Sequence, residues 1–416
     1  MKKSIKTMNT ILFFLLYICI ILMIDSRVLN QSNIPVLFFM FPWIFFYKRI
    51  KIDIGLKTKK ILYYGIYLLI ITIIFFHSNY DQNNAVFSLI EYGCIFGGIY
   101  LWISKIQMNI FWEYFKNAGV IISILCIVEA IIQKPFVGEL LGKNIYIDSD
   151  GYRVAAIFSH PIVCGLFLVI FWIITVYFPY NSRMKNIIVQ FIEITAIAFT
   201  KSRSAWLGLG CSLFLVIIVS LKNSGTKVDR KYFMYVLLLI LLFSVINISL
   251  NLNIIESVYT YISSRIAGSL YAGAGQGNII RIDTMYNSIQ YWREGHFVKF
   301  LFGSGKNYDK IFMKMFPVIK WGKAWTETID NQYFTIIHET GIIGLILILY
   351  IIFKSLKDIF SYSNNRECVF SCISIIAIAV CIFFFEGFNY MEVVSLIILL
   401  VMYNDKITEE IKKNEY

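Results

Sequence analysis

The sequence predicts an all-α integral membrane protein with about twelve transmembrane helices and one large extracytoplasmic loop. Of the 416 residues, 58% are hydrophobic and only 15% are charged, which is more apolar surface than a water-soluble domain of this length can bury. Apolar runs of membrane-spanning length recur along the whole chain. One long stretch, residues 251–330, interrupts them before the tenth predicted span.

The apolar runs define the predicted spans and divide the chain into three parts. In chain order the spans cover residues 8–24, 34–47, 60–76, 85–104, 115–132, 154–178, 186–200, 204–221, 232–250, 331–353, 368–386 and 389–403. Residues 1–250 hold spans one to nine, 251–330 form the large loop, and 331–416 hold spans ten to twelve and a cytoplasmic tail. No small-residue cleavage site follows the first run, so we interpret it as a retained span.

The distribution of basic residues predicts the orientation in the membrane. With the N-terminus in the cytoplasm, the short inner segments carry 23 Lys and Arg residues and the short outer segments carry 6. This asymmetry follows the positive-inside rule and places both termini in the cytoplasm. The formal net charge of +12 therefore reflects topology, and we expect no nucleic-acid partner.

The cysteines predict neither a disulfide framework nor a metal site. All eight lie within or beside apolar runs, and the large loop contains none. Cys368 and Cys372 share a helix face, but no His or carboxylate completes a metal site beside them. We interpret them as small core residues.

The large loop mixes aromatic residues with cations and contains an amphipathic stretch from Ile279 to Lys299. A loop of this length without structure of its own would be unusual. The sequence therefore predicts an extracytoplasmic cap of short helices.

Four polar features lie near the predicted outer face of the membrane. They are RVAAIFSHP (153–161), TKSRSAWLG (200–208), the loop stretch with Arg281, Asp283 and Arg293 before Gly303-Ser304-Gly305, and DNQYFTIIHETGIIG (330–344). Arginine grips phosphate because its planar fork donates two parallel hydrogen bonds. The shared predicted depth of Arg153, Arg203 and Arg281 favours one anion-binding site, although each of them alone could extend to lipid headgroups.

Two residues of the last feature, His338 and Glu339, lie about two turns inside the tenth predicted span. A charge buried there costs several kcal/mol unless it is paired, so such residues are candidates for function. The alternative is an internal salt bridge or hydrogen bond that fixes helix packing. His160 has the same two interpretations, as a functional group or as a hydrogen-bonded helix residue.

This pattern resembles the bacterial O-antigen polymerase and ligase superfamily (Wzy-type), whose members are membrane glycosyltransferases of the GT-C type. TKSRSAWLG matches the family's T-x-S-R-x-A motif. Asp330-Asn331, nine further residues and GIIG match the spacing of its final motif. The resemblance covers residues 153–353. Ligases have His at the position of Asp330, where it activates the acceptor hydroxyl, so Asp favours the polymerase branch.

The resemblance implies a metal-independent enzyme without a cofactor, in the cytoplasmic membrane of a bacterium. It would join undecaprenyl-diphosphate-linked oligosaccharide repeat units into O-antigen or capsule chains at the outer face, with membrane lipid and a chain-length regulator as partners. Arg203 and Arg281, assisted by Arg153, would bind the diphosphate. The base would be Asp330, with His338 and then Glu339 as alternatives. Candidate substrate contacts are His160, Asn331, Trp292 and Tyr333.

Two other functions fit parts of the sequence. One is an O-antigen ligase, which transfers polymer to lipid A core. The other is a flippase for lipid-linked sugars, but such transporters have related halves and sites near the bilayer midplane. We find no internal repeat, and the polar features share the outer face, which favours an enzyme. The sugars, their linkage and the anomeric outcome do not follow from the sequence.

Overall fold

The computed structural model describes residues 2–23, 55–75, 82–135, 147–148, 151–158, 160–222, 276–320, 323–325 and 328–415. The spans predicted at 34–47 and 232–250 lie outside these residues. Each of the ten other predicted spans coincides with a helix. The all-α prediction is therefore confirmed for the described part of the chain, with two short hairpins as additions.

The structure describes thirteen α-helices. They are α1 (Lys2–Met23), α2 (Leu56–Ile74), α3 (Gln82–Ile103), α4 (Met108–Ile132), α5 (Pro161–Tyr177), α6 (Arg183–Phe199), α7 (Arg203–Lys222), α8 (Gln276–Arg293), α9 (Phe297–Phe302), α10 (Tyr308–Met315), α11 (Gln332–Ser361), α12 (Arg366–Ile382) and α13 (Met391–Glu415). Strands β1 (Ile147–Asp148) and β2 (Gly151–Tyr152) pair antiparallel, as do β3 (Val318–Lys320) and β4 (Lys323–Trp325). A 3₁₀ turn, Gly387–Asn389, precedes α13.

Length and hydropathy alone qualify three described helices, α4, α7 and α11, to cross a membrane. Helix α5 and the stretch Leu89–Ile103 are shorter apolar helices. Large apolar side chains on the outside of the bundle are also exposed: Ile131 by 75%, Phe191 by 71% and Leu221 by 67%. Such a surface suits lipid as the surrounding medium.

The sixth predicted span, 154–178, begins too early. Helix α5 starts at Pro161, whose missing N–H and fixed φ suit the first helical position. His160 caps the helix, because its Nδ1 accepts a hydrogen bond from the Ile162 N–H at 3.1 Å. Residues 153–155 are irregular, and Ala156 has a positive φ of 48°. Arg153 therefore lies on a loop before the helix.

Helix α11 is broken at Gly341, where the backbone has φ 67° and ψ −173°. A Cβ at this position would lie 2.2 Å from a backbone oxygen of α9, so only glycine fits. The carbonyl groups of His338 and Glu339, next to the break, accept hydrogen bonds from the N–H groups of Ser304 and Gly305, both at 2.9 Å. The glycine turn before α10 is thus seated in the break.

A buried polar network joins the helix ends that the charge rule assigns to the cytoplasm. Lys57 on α2 forms an ion pair with Asp358 on α11, with 2.9 Å between Nζ and Oδ2. Asn404 on α13 donates to the same oxygen at 3.2 Å. The thiols of Cys368 and Cys372, both buried, donate to Asn404 Oδ1 at 3.2 and 3.0 Å. The residues that the sequence singled out for function lie toward the opposite end of the bundle.

Candidate functional site

The candidate site is built around the turn between α6 and α7, which carries the TKSRSA motif. Arg153 donates from Nε to the Thr200 carbonyl oxygen at 3.2 Å. The Cys381 thiol at the end of α12 donates to the Ser204 carbonyl oxygen at 3.4 Å. Arg203 is half-buried and begins α7. Contacts from the loop before α5 and from α12 therefore hold this turn and its arginine in place.

His160 faces the same region from the start of α5. Its ring centroid lies 6.4 Å from that of Tyr390, which immediately precedes α13. Burial, and secondarily the positive charge of Arg153, lower the pKa of His160 to about 3. The imidazole is therefore neutral at physiological pH, and its Nδ1 is the acceptor of the helix cap.

Arg281 on α8 and Asp330 before α11 are brought together. Arg281 donates from Nε to the Asp330 carbonyl oxygen at 3.3 Å, and its guanidinium carbon lies 6.0 Å from the centroid of the Phe384 ring. Burial lowers the pKa of Arg281, and the Asp330 carboxylate opposes that effect. Asp330 has a left-handed φ of 56°, and its Oδ1 accepts from the Thr328 hydroxyl at 2.8 Å.

Two residues predicted to contact substrate, Asn331 and Tyr333, hold the start of α11 in place. Asn331 caps the helix, because its Oδ1 accepts from the N–H groups of Tyr333 and Phe334 at 3.0 and 3.3 Å. Tyr333 donates from its hydroxyl to the Ala379 carbonyl oxygen of α12 at 2.8 Å. Asn331 is 1% exposed and Tyr333 is half-buried. In the structure both residues position the helix that follows Asp330.

Glu386 enters the site from the connection between α12 and α13. Its Oε1 accepts from the Ile329 N–H at 2.7 Å and from the Thr335 hydroxyl at 3.1 Å. Its Oε2 accepts from Asn389 Nδ2 at 2.6 Å. Burial raises the pKa of Glu386 well above its usual range. In the sequence, the only signal for Glu386 is an acidic residue beside an apolar run.

His338 lies in a different environment, the aromatic core of the loop helices. Its ring centroid is 4.2 Å from Phe312 and 4.9 Å from Trp292, and its Nε2 is 2.9 Å from the Ser288 hydroxyl. His338 is 2% exposed and Trp292 is 9% exposed. The structure thus packs His338 of α11 against Trp292 of α8 and Phe312 of α10.

Glu339 is paired inside the protein. Its Oε1 lies 2.9 Å from Lys306 Nζ and accepts from the Asn307 N–H at 2.8 Å. Burial would lower the pKa of Lys306, but the Glu339 carboxylate holds it well above its usual range. The geometry corresponds to the structural alternative, an internal salt bridge that fixes packing.

An apolar cavity of about 600 Å³ lies beside the site, between helices α2, α3, α11, α12 and α13. Its walls include Tyr64, Tyr92 and Ile351. Phe388 also lines it, and the Phe388 N–H donates to Gln332 Oε1 at the start of α11, at 2.7 Å. One lining residue, Phe388, is therefore hydrogen-bonded to a residue two positions after Asp330. Among the described residues no cluster of His, Cys, Asp or Glu is suited to hold a metal ion.

The long apolar helices and their exposed apolar surface define a membrane protein with a polar site at one end. Residues 188–349, less than half of the chain, match the model of the family described as O-antigen ligase. This part of the chain is therefore a domain of the O-antigen ligase and polymerase family, whose members are multi-span membrane enzymes of polysaccharide and lipopolysaccharide synthesis. It includes the turn with Arg203, the described loop helices, and α11 as far as residue 349. No curated protein matches the chain.

Proposed function

We propose that this protein is a polysaccharide polymerase that extends a lipid-linked glycan at the outer face of the cytoplasmic membrane. It transfers the growing chain from its undecaprenyl diphosphate carrier to a hydroxyl group of the next lipid-linked repeat unit. The observation that supports this most directly is the contact of Arg281 with Asp330, at the end of the bundle that also holds Arg153 and the Arg203 turn. Cations for a diphosphate and a carboxylate for a proton lie in one region.

The reaction assigns a distinct task to each charge. The bond between the anomeric carbon and the diphosphate oxygen breaks, and the acceptor oxygen forms the new glycosidic bond. Arg203 and Arg281, with Arg153, stabilise the negative charge on the leaving diphosphate. Asp330 takes the acceptor proton, which contributes roughly 10²–10⁴-fold to the rate. The donor already carries a good leaving group, and the protein's main task is to hold two sugars in contact.

The apolar cavity accommodates part of a prenyl chain. Its walls are hydrocarbon and aromatic side chains, and its lining residue Phe388 is hydrogen-bonded to Gln332, two positions after Asp330. The proposal includes the GT-C class, about twelve spans and cytoplasmic termini. The buried network around Lys57 and Asp358 is consistent with this orientation, because it joins the helix ends that the charge rule assigns to one side.

A ligase is the second candidate, favoured by the family description. The polymerase is preferred because this sequence has Asp330 where ligases have His. The flippase is less consistent with the structure, because the described polar site lies at an end of the bundle rather than in the middle of its helices.

The three functions differ in what a deletion strain accumulates. Loss of a polymerase leaves single repeat units delivered to the outer face, and loss of a flippase leaves them trapped inside. Loss of a ligase leaves long polymer that is not attached to lipid A core. Accumulation of either of the last two products would contradict the proposal.

Two variants in the complemented deletion strain test the arginine assignment. Arg281→Ala is expected to abolish long chains at normal membrane abundance, as is Arg203→Ala. Arg293→Ala is the matched control, because Arg293 is exposed at the other end of the same helix α8. Normal chain length in Arg281→Ala, or equal loss in Arg293→Ala, would remove Arg281 from the site.

A further inference from the structure

We propose that Glu386 is a positioning residue for Asp330: its carboxyl group fixes both the turn before α11 and the loop before α13. This inference rests on the proposed role of Asp330. Glu386 is 4% exposed and follows α12, so it lies between the two segments that it contacts. It is a further carboxyl group near that of Asp330.

One oxygen of Glu386 holds the backbone at Asp330. Ile329, which donates its N–H to Oε1 at 2.7 Å, immediately precedes Asp330. On the other side, Arg281 holds the Asp330 carbonyl oxygen at 3.3 Å. Asp330 itself has φ 56°, a left-handed conformation that is unfavourable for most residues with a side chain and less so for Asp. The two contacts hold the backbone on both sides of this residue.

The other oxygen of Glu386 holds the opposite wall of the site. Oε2 accepts from Asn389 Nδ2 at 2.6 Å, and Asn389 precedes Tyr390, whose ring faces His160. The Thr335 hydroxyl, on the first turn of α11, adds a further donor to Oε1 at 3.1 Å. One buried carboxyl group therefore joins the Asp330 turn, α11 and the loop facing α5.

The contacts of Glu386 favour a positioning role over direct proton transfer to or from substrate. Both oxygens of Glu386 already accept from protein donors, and the side chain is buried. A glutamine can reproduce the arrangement: its Oε1 can accept from Ile329 and Thr335, and its Nε2 can donate to the Asn389 amide oxygen after that amide rotates. A group that must exchange a proton with substrate has no such replacement.

The test is steady-state polymerisation of lipid-linked repeat units by the full-length protein in liposomes. We expect Glu386→Gln to retain activity within about threefold of wild type. Glu386→Ala removes the acceptor of the Ile329 N–H and of the Asn389 amide, and is expected to lower kcat about 10- to 100-fold with little change in KM. Asn389→Ala removes only the Oε2 contact and is expected to give a smaller loss. The matched control is Glu193→Ala, which removes a buried carboxylate that accepts from Thr175 at 2.9 Å on a different pair of helices.

Several results would overturn the inference. Glu386→Gln as inactive as Glu386→Ala would indicate proton transfer by Glu386. Unchanged activity in Glu386→Ala would remove the residue from the site, and equal losses in Glu193→Ala would indicate a general effect of burying fewer carboxylates. Limited proteolysis adds a structural readout, since cleavage before α11 should rise in Glu386→Ala and not in Glu386→Gln. If wild type proves to transfer polymer to lipid A core instead, the proposed function fails, and the same variant ratios measured on that reaction still test the positioning role.

Discussion

Two acidic residues lie on either side of the first part of α11 and show opposite environments. Glu339, just before the helix break, is 1% exposed and forms a closed ion pair with Lys306. Asp330, just before the helix starts, is half-buried, and its carboxylate accepts from the Thr328 hydroxyl. Its neighbouring cation, Arg281, contacts the backbone oxygen of Asp330 through Nε.

On the proposed mechanism, one end of this segment serves chemistry and the other serves stability. A buried pair such as Lys306–Glu339 is costly to break and has little to offer a substrate. A carboxylate whose arginine neighbour binds its backbone can still receive a proton, and a guanidinium has five N–H donors with which to bind more than one acceptor. Substitution of Asp330 should therefore lower the reaction rate, and substitution of Lys306 should lower the stability of the folded protein.

The largest expected effect is on catalysis and follows from substitution of Asp330, just before α11. Asp330→Ala should lower the polymerisation rate by about 10²–10⁴-fold, because the acceptor hydroxyl loses its base. Chain length on gels and initial rates in liposomes measure the loss, and membrane abundance should stay near wild type. Wild-type rates in this variant would transfer the role of base to His338 or Glu339.

Breaking the Lys306–Glu339 ion pair is expected to lower the stability of the protein. Lys306→Met leaves the Glu339 carboxylate buried without its partner, which typically costs about 3–5 kcal/mol of unfolding free energy. Thermal unfolding in detergent should show the decrease, while the rate per folded molecule stays within a few-fold of wild type. The double variant Lys306→Met/Glu339→Leu should recover much of the stability. A variant that stays folded but is inactive would place this pair in the chemistry.

The sequence predicted the elements better than the contacts. Apolar runs located ten described helices, because the length of a span is set by the thickness of the bilayer. The start of α5 was misplaced, because an apolar run gives no weight to the cap at His160 and the following Pro161. Hydropathy does not detect a helix boundary that is set by hydrogen bonds.

The candidate site was predictable only in part for a similar reason. Motif spacing selected Arg153, Arg203, Arg281 and Asp330, and the structure places them toward one end of the bundle. The same spacing did not indicate that the side chains of His338 and Glu339 pack against the loop helices and the segment that joins them. That division follows from the Gly341 break and from the glycine turn seated in it, which are long-range backbone contacts without a local sequence pattern.

The break itself supplies the next prediction. Gly341→Ala should destabilise the protein by about 1–3 kcal/mol, because φ is 67° and the added Cβ would meet the backbone of α9. Gly210→Ala on α7 is the control, since a Cβ there meets nothing within 4 Å. Thermal unfolding of both variants measures the difference. Equal stability of the two would mean that α11 can close the break without cost.

The smallest expected effect is on the pH dependence of stability, to which the neutral imidazole of His160 contributes. Because its pKa in the folded protein is depressed to about 3, protonation in the unfolded chain near pH 6.5 favours unfolding. The contribution of His160 to stability is therefore complete above about pH 6.5 and is lost as the pH falls toward 3. Asn at this position keeps a side-chain acceptor for the α5 cap and does not titrate. Melting temperatures should fall less steeply with acid in His160→Asn than in wild type. Parallel slopes would show that the imidazole takes up its proton equally readily in the folded and the unfolded chain, and that burial does not lower its pKa.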